Sequence, residues 1–313
     1  MSLDAQVIPS DAASELAEPR GWWARLESLL ERASEYLNPL LVKEARQALK
    51  SNQFATTFIL VMCLGWGWSF LGVAVSDNPL TVGPDGRGML YGYFLILVVA
   101  LFLIVPFSAF RSLAAEREDG TLALIAITTL SARQIVFGKL GSVMVQMLVY
   151  LSALAPCIAF TALLRGVDIY LIALLLGVTV SVSAAMSACG LMFASLSRSG
   201  HWQSALSALL VLGFAVPMFV WLVMAYEIFV DWNRAVLDGP VFWTVFLNVA
   251  TVAWSFVALF CFTAASQLSF LSDNRATALR VVMMVQQVFA AGWCTFYAIV
   301  ENDFEFLEWL AIL

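Results

Sequence analysis

The chain has 313 residues, of which 62% are apolar and 12% are charged, and its mean hydropathy is +0.88. Soluble domains average about 45–50% apolar and about 25% charged residues, so this composition excludes an ordinary soluble enzyme or a disordered regulator. Sixteen Lys and Arg against 22 Asp and Glu give a net charge of −6, which excludes the basic character of a nucleic-acid-binding protein. An integral membrane protein with no nucleic-acid partner is therefore expected.

The first 53 residues precede the apolar segments and divide into two parts. Residues 1–19 are polar, acidic and without periodicity, which predicts a disordered tail and not a secretory signal. Trp22, Leu26 and Leu30 then fall on one helical stripe, with charged residues on the opposite face. Residues 20–53 are therefore predicted to form amphipathic helices, the first of which lies on the inner leaflet or docks on a partner.

A second amphipathic helix is predicted to begin at Asn38 and Pro39. Asparagine suits the N-cap and proline suits the first helical position. Lys43, Arg46 and Lys50 follow three and four residues apart, so they form one basic face that can meet lipid phosphates. This helix is expected to lead straight into the first membrane span.

Seven uncharged apolar runs follow, each reaching the roughly 20 residues that an α-helix needs to cross a membrane. They cover residues 54–76, 88–110, 140–164, 169–197, 202–226, 241–272 and 281–300. Strands of a membrane barrel would be about ten residues long with alternating character. The predicted fold class is therefore all-α, a polytopic transmembrane helix bundle of six to seven spans with an N-terminal amphipathic interfacial helix.

The C-terminal part of the chain leaves several interpretations open. Residues 54–272 hold six spans, and residues 273–313 hold the seventh candidate span. That region is expected to be an extra span, a re-entrant or interfacial segment, or part of a longer protein that is cut short.

The distribution of positive charge predicts the orientation in the membrane. With the N-terminus in the cytoplasm, thirteen Lys and Arg fall on the inner side, whereas Arg87, Arg165 and Arg234 fall outside. Cytoplasmic loops carry such an excess of positive charge. The chain is therefore expected to be a multi-pass protein of the inner or plasma membrane with a cytoplasmic N-terminus.

Two features inside the spans bear on helix packing. Span four carries the small residues Ala184, Ser187, Ala188 and Gly190 at helical spacing, and small side chains let a second helix approach closely. We expect these four residues to pack against a neighbouring helix, with the lining of a pathway as the alternative. Pro106 lies within span two, where the loss of one backbone hydrogen bond can kink the helix.

The longest charged inner loop, residues 111–139, joins spans two and three. Span two is expected to continue as a helix to Glu118, with Gly120 placed to end it. The apolar segment that follows, residues 121–128, is expected to lie outside the membrane and therefore to need a surface that covers it. Ser131 and Gln134 then match the capping-box pattern at the start of the next helix. The loop is therefore predicted to be a rigid helix–turn–helix bracket.

A resemblance to a known family rests on two segments, NPLLVKEARQALKS and EREDGTLALIAITTLSARQIVFGKL. The chain resembles there the permease subunit of type-2 ABC exporters, over roughly residues 38–272. In that family the acidic-Gly-Thr-Leu element belongs to the coupling region that touches the ATPase subunit. The resemblance implies the candidate coupling residues Glu116, Glu118, Gly120, Thr121, Leu122 and Leu124. The simplest family members have six spans and both ends inside, so the seventh candidate span departs from their pattern.

The resemblance implies a transmembrane permease that exports a substrate with energy from ATP hydrolysis. Its partners would be a separate cytoplasmic ATP-binding subunit, a second permease half in a homo- or heterodimer, and membrane lipid. No G-x-x-x-x-G-K-[ST] motif occurs, so the partner would bind ATP, and no enzyme activity, metal or cofactor is expected in this chain. The alternative is a non-transporting membrane scaffold or assembly subunit that docks an ATPase. An intramembrane enzyme is disfavoured because His201 is the only histidine.

Overall fold

The computed structural model describes residues 39–75, 86–118, 131–163, 168–196, 200–231, 239–269 and 275–301. Within these ranges every secondary-structure element is a helix, and no strand occurs. The predicted disordered tail and first amphipathic helix lie outside the described residues. Residues 119–130 of the loop between spans two and three do too.

The described helices follow one another in a simple order. Helix α1 is Pro39–Lys50 and α2 is Asn52–Val75. The next three elements, α3, a π-helical segment and α4, form one continuous rod and cover Gly86–Val99, Ala100–Ile104 and Val105–Glu118. The remaining helices are α5 (Ala132–Leu163), α6 (Ile169–Leu196), α7 (Gly200–Asp231), α8 (Pro240–Leu268) and α9 (Arg275–Glu301).

Seven of the described helical units are long and apolar enough to cross a membrane, namely α2, the α3–α4 rod, and α5 to α9. The rod is the centre of the bundle, since 61% of its most apolar window is buried, compared with 6% for α9. Helix α6 packs mainly on α4 and α8, α1 on α5, and α9 on α8. The core follows the rod, where Tyr93, Phe102 and Phe110 are each 1% exposed or less.

The π-helical segment lies directly before Pro106 and changes the hydrogen bonding of the rod. The N–H of Val105 donates to the carbonyl of Ala100, five residues back. In that register the carbonyl of Leu101 would face the nitrogen of Pro106, which carries no hydrogen. The hydroxyl of Ser183 on α6 donates to this carbonyl instead. The disturbance expected at Pro106 thus takes the form of a π-helical segment, which a neighbouring helix stabilises.

The predicted amphipathic helix, α1, is followed after a single residue by the first span, α2. Ser51 lies between them, and its hydroxyl donates to the carbonyl of Ala48 at 2.8 Å and accepts from the N–H of Phe54 at 3.1 Å. Ser51 is therefore the N-cap of α2.

Helix α1 packs closely on α5, where a Cβ on Gly141 would lie 2.3 Å from Leu41 Cδ1.

Candidate functional site

Lys139 on α5 lies buried between two carboxylates, at the end of the bundle that carries the α4–α5 loop. Its Nζ is 3.2 Å from Glu44 Oε2 on α1 and 2.8 Å from Glu116 Oε1 on α4. The lysine side chain is only 1% exposed. We refer to Glu44, Glu116 and Lys139 as the Lys139 triad, because one ammonium group joins three helices.

The charges of the Lys139 triad do not cancel, since two carboxylates face one ammonium. Burying a charge is costly unless opposite charges and hydrogen bonds offset the lost hydration, and here both ion pairs are also hydrogen bonds. Helix α1 supplies its carboxylate because Gly141 has no side chain to hold α1 away from α5. The close approach of α1 to α5 therefore brings the carboxylate of Glu44 within reach of the buried Lys139.

Arg117 attaches the same end of α4 to α6. Its guanidinium donates to the carbonyl oxygens of Ala194, at 3.3 Å, and Ser195. Both carbonyls belong to the last turn of α6, where backbone oxygens lack partners within the helix and carry partial negative charge. The adjacent residues Glu116 and Arg117 therefore connect α4 to α1 and α5 on one side and to α6 on the other.

The other end of the loop is fixed by the start of α5. The N–H of Ser131 donates to Gln134 Oε1 at 2.9 Å, and the N–H of Gln134 donates to Ser131 Oγ at 3.3 Å. This reciprocal pair confirms the predicted capping box, and α5 begins at the following residue, Ala132. Residues 119–130 thus lie between two helix ends that are each held by specific contacts.

The candidate coupling residues fall into two groups. Glu116 is a member of the Lys139 triad, and Glu118 is exposed at the end of α4. The other four lie outside the described residues: Gly120, Thr121, Leu122 and Leu124. At Glu116 the structure adds an internal role that the sequence pattern did not indicate, since its carboxylate contacts a buried lysine.

The small residues of α6 are buried in the bundle. Ala184, Ser187 and Ala188 are each 0% exposed, and Gly190 is buried too. A Cβ added to Gly190 would lie 2.9 Å from the carbonyl oxygen of Pro106. The backbones of α4 and α6 therefore approach here to a distance that only glycine accommodates without a shift.

A polar cleft of about 350 Å³ opens beside the Lys139 triad, between α1, α2, α4 and α5. Two interhelical hydrogen bonds lie in its lining. Ser108 Oγ on α4 donates to Gln146 Oε1 on α5 at 2.9 Å, and the hydroxyls of Thr57 on α2 and Tyr150 on α5 are 2.6 Å apart. The cleft therefore brings polar groups of four helices together next to a buried ion-pair network.

Two residues of this site, Glu44 and Lys139, were not singled out from the sequence. Glu44 is the only acidic residue in α1, which is an anomaly on a helix with a basic face. Lys139 stands between Gly138 and an uncharged apolar run that begins at Leu140. An isolated charge at each of these positions is the available signal, but the sequence does not indicate that the two are partners.

The long apolar helices and their arrangement define a multi-pass α-helical membrane protein. Comparison with protein-family models and with curated proteins finds no match to this chain. Among the described residues, no group of three His, Cys, Asp or Glu side chains could hold a metal ion. In the described part of the chain, the features that bear on function are the Lys139 triad, the two anchored loop ends and the polar cleft.

Proposed function

We propose that this chain is the transmembrane permease subunit of an ATP-driven, ABC-type exporter. A separate cytoplasmic subunit binds and hydrolyses ATP, and a second permease half completes the transport unit. In this proposal the end of the bundle with the Lys139 triad faces the cytoplasm, in keeping with the thirteen positive residues on that side.

The observation that carries the proposal is the way the α4–α5 loop is mounted. The segment that resembles the coupling region of type-2 ABC exporters joins two helix ends. Glu116 and Arg117 fix the end of α4, and the capping box of Ser131 and Gln134 fixes the start of α5. A force applied at the end of α4 or at the start of α5 would therefore pass through these contacts to the neighbouring helices.

The Lys139 triad also determines which helices would respond together. Movement of the loop would displace α4 and α5, and α1 would follow because Glu44 is joined to Lys139. Helix α2 is held less tightly, since only 11% of its apolar window is buried. ATP-driven closure of the partner would therefore rock α1, α4 and α5 relative to α2 and change the width of the polar cleft. This is an alternating-access mechanism.

The test is whether the loop makes the contact with the ATP-binding subunit. The full chain is purified from its native membrane after mild cross-linking, and the copurifying ATP hydrolysis and the ATP-binding subunit are measured. Leu124→Asp places a charge in the apolar loop segment, and Glu118→Lys inverts an exposed charge at the end of α4. Both variants should fold, and both should lose copurifying ATPase, the second more at low salt because screening is weaker.

Glu227→Lys is the matched control, because Glu227 is also an exposed glutamate but lies near the far end of α7. It should leave the ATPase contact unchanged. Full retention of the ATPase by both loop variants would contradict the proposal.

A transporting permease is distinguished from a scaffold by whether the distance between α2 and α4 changes. Spin labels at Gln53 on α2 and Ala115 on α4, two exposed positions on either side of the cleft, report the distance between these helices in the complex with its ATPase. A permease should show a second distance population when ATP is added. An unchanged distance in a complex that still hydrolyses ATP would instead favour the non-transporting scaffold.

A further inference from the structure

The polar cleft owes its shape to the position of α2. This helix packs mainly on α3 and α5, and the cleft lies between it and α4. Helix α5 forms its floor, and α1 closes one end, where Glu44 and Glu116 lie. The cleft therefore has a polar interior at one end of the bundle and a lateral opening between two membrane-spanning helices.

Two donor groups in the cleft are available to a ligand. Gln146 is 7% exposed, and its Oε1 accepts from Ser108, whereas its amide nitrogen has no hydrogen-bond partner among the described residues. Arg111 is exposed on α4, its guanidinium lies 6.0 Å from the ring centroid of Phe107, and no described carboxylate lies within ion-pair distance of it. A buried amide donor and a guanidinium that line one cavity suit an anionic oxygen group.

Acceptor groups occupy the other part of the cleft. Glu44 and Glu116 line it and share the ammonium of Lys139, so two carboxylates face one lysine ammonium there. Glu116 lies five residues after Arg111 on the same helix, which corresponds to about 7.5 Å along the axis. The cleft therefore presents a positive and a negative region side by side.

We propose that the cleft binds the aminoethyl phosphate headgroup of a zwitterionic phospholipid. The phosphate contacts Arg111 and Gln146, and the ammonium contacts the carboxylates of Glu44 and Glu116. The binding of this lipid is independent of any ATPase partner and does not rest on the proposed transport function.

The charges of the cleft select a zwitterion over an anion. Arg111 and Lys139 together balance Glu44 and Glu116, so a headgroup with no net charge leaves the site neutral. A headgroup with only a phosphate would contact Arg111 but would bring no cation to the two carboxylates and would add a negative charge to a partly buried site, which is costly.

A primary ammonium also fits better than a quaternary one. Its N–H groups can donate hydrogen bonds to carboxylates, whereas quaternary ammonium ligands are recognised by cages of aromatic faces. The aromatic side chains that line the cleft are Phe54 and Tyr150. They pack edge to face on each other, with ring centroids 5.4 Å apart, and do not form such a cage.

A membrane lipid is favoured over a water-soluble ligand by the surface that leads away from the cleft. Thr57 on α2 lines the cleft, and Leu60 and Leu64 follow it on the same side of the helix, three and seven residues later. These leucines are 53% and 50% exposed. The acyl chains of a lipid whose headgroup occupies the cleft can therefore lie along α2.

The test is a lipid titration of the full chain in detergent, followed by native mass spectrometry. The probes are short-chain phosphatidylethanolamine, phosphatidylcholine and phosphatidylglycerol, with free phosphoethanolamine as a competitor. Phosphatidylethanolamine should fill one saturable site more tightly than the other two lipids. Arg111→Gln and Gln146→Leu should each weaken it by about tenfold, because each removes a hydrogen bond to the charged phosphate.

Arg133→Gln is the matched control. Arg133 is an exposed arginine at the same end of the bundle whose guanidinium lies 5.4 Å from the ring centroid of Phe262, and it does not line the cleft. Its replacement should leave the affinity within about twofold, a change well below the effect of one charged hydrogen bond. If Gln146→Leu does not fold, the exposed position Arg111 alone decides the result.

Three outcomes would overturn the proposal. One is equal affinity of Arg111→Gln and the parent chain for phosphatidylethanolamine. Another is binding of phosphatidylglycerol as tight as that of phosphatidylethanolamine and equally weakened by Arg111→Gln, since this defines a plain anion site. The third is competition by free phosphoethanolamine as effective as that of the lipid itself, which would exclude the membrane lipid as the occupant. None of these results depends on the ATPase contact, so they leave the proposed function to its own test.

Discussion

Ser183 on α6 donates a hydrogen bond from its hydroxyl to the backbone carbonyl of Leu101 in the π-helical segment of the rod. This carbonyl needs an outside donor, because Pro106 has no N–H to offer in the five-residue register. Both partners are buried, Ser183 and Leu101 being 0% exposed. A hydroxyl of one span thereby compensates for the proline of another.

Removal of this hydroxyl should destabilise the bundle. In Ser183→Ala the carbonyl of Leu101 loses its donor, and an unsatisfied buried acceptor costs about 1–3 kcal/mol. Thermal unfolding of the purified chain in detergent measures the effect. Ser181→Ala is the matched control, since the hydroxyl of Ser181 bonds only to the carbonyl of Gly177 in its own helix. Equal melting temperatures for the two variants would contradict the role assigned to Ser183.

The close approach of α4 and α6 at Gly190 gives a second prediction. In Gly190→Ala the new Cβ would lie 2.9 Å from the carbonyl oxygen of Pro106, a backbone atom that cannot rotate away. Helix α6 must therefore shift, and overpacking of this kind costs about 1–3 kcal/mol. The folded yield in detergent and the melting temperature should both fall.

The same helix supplies the control for this prediction. A Cβ on Gly177 would meet no atom within 4 Å, so Gly177→Ala should keep the parent stability or exceed it slightly, because alanine is the better helix former. Which of the two variants is less stable matters more than the size of either change in stability. If Gly190→Ala is no less stable than Gly177→Ala, the two helices are not in the tight contact described.

The buried cation of the Lys139 triad gives the largest expected effect on stability. Lys139→Met leaves Glu44 and Glu116 close together without their shared partner, and removing one member of a buried ion pair costs about 3–5 kcal/mol. Thermal unfolding in detergent, monitored as the loss of helical circular dichroism, should therefore begin at a much lower temperature than for the parent. Lys50→Met, at an exposed lysine of α1, should have little effect.

A combined variant separates electrostatics from the loss of side-chain contacts. Lys139→Met together with Glu44→Gln and Glu116→Gln removes all three charges, so most of the lost stability should return. If the triple variant is as unstable as Lys139→Met alone, the lysine stabilises the bundle through the packing of its apolar stem and not through its charge.

The orientation of the bundle is tested by labelling from either side of the membrane. In a background without the five native cysteines, single cysteines at Gln134 and Glu227 occupy exposed positions near opposite ends of the bundle. The positive-inside distribution predicts that the first reacts only from the cytoplasm and the second only from outside. Labelling of position 134 from the outside would reverse the orientation used in the proposed function.

The sequence by itself determined the features that depend on neighbouring residues along the chain. Seven uncharged runs predicted the seven long apolar helices found among the described residues, because a helix needs only its own residues to satisfy its backbone in lipid. Ser131 and Gln134 predicted the start of α5 for the same reason, since a capping box lies within four residues. The break at Ser51 is equally local, because the serine caps α2 through the N–H of Phe54, three residues later.

Tertiary structure alone decided which distant residues meet. The sequence marks Glu44, Glu116 and Lys139 as charges, but their pairing depends on how α1 crosses α5, which Gly141 permits. The donor that Leu101 requires could have been any polar side chain of any other span, and helix packing selected Ser183. The polar cleft follows in turn from the gap between α2 and α4, which no periodicity in either helix encodes. Local patterns determine each helix, whereas contacts between helices depend on the shape and charge of both surfaces at once.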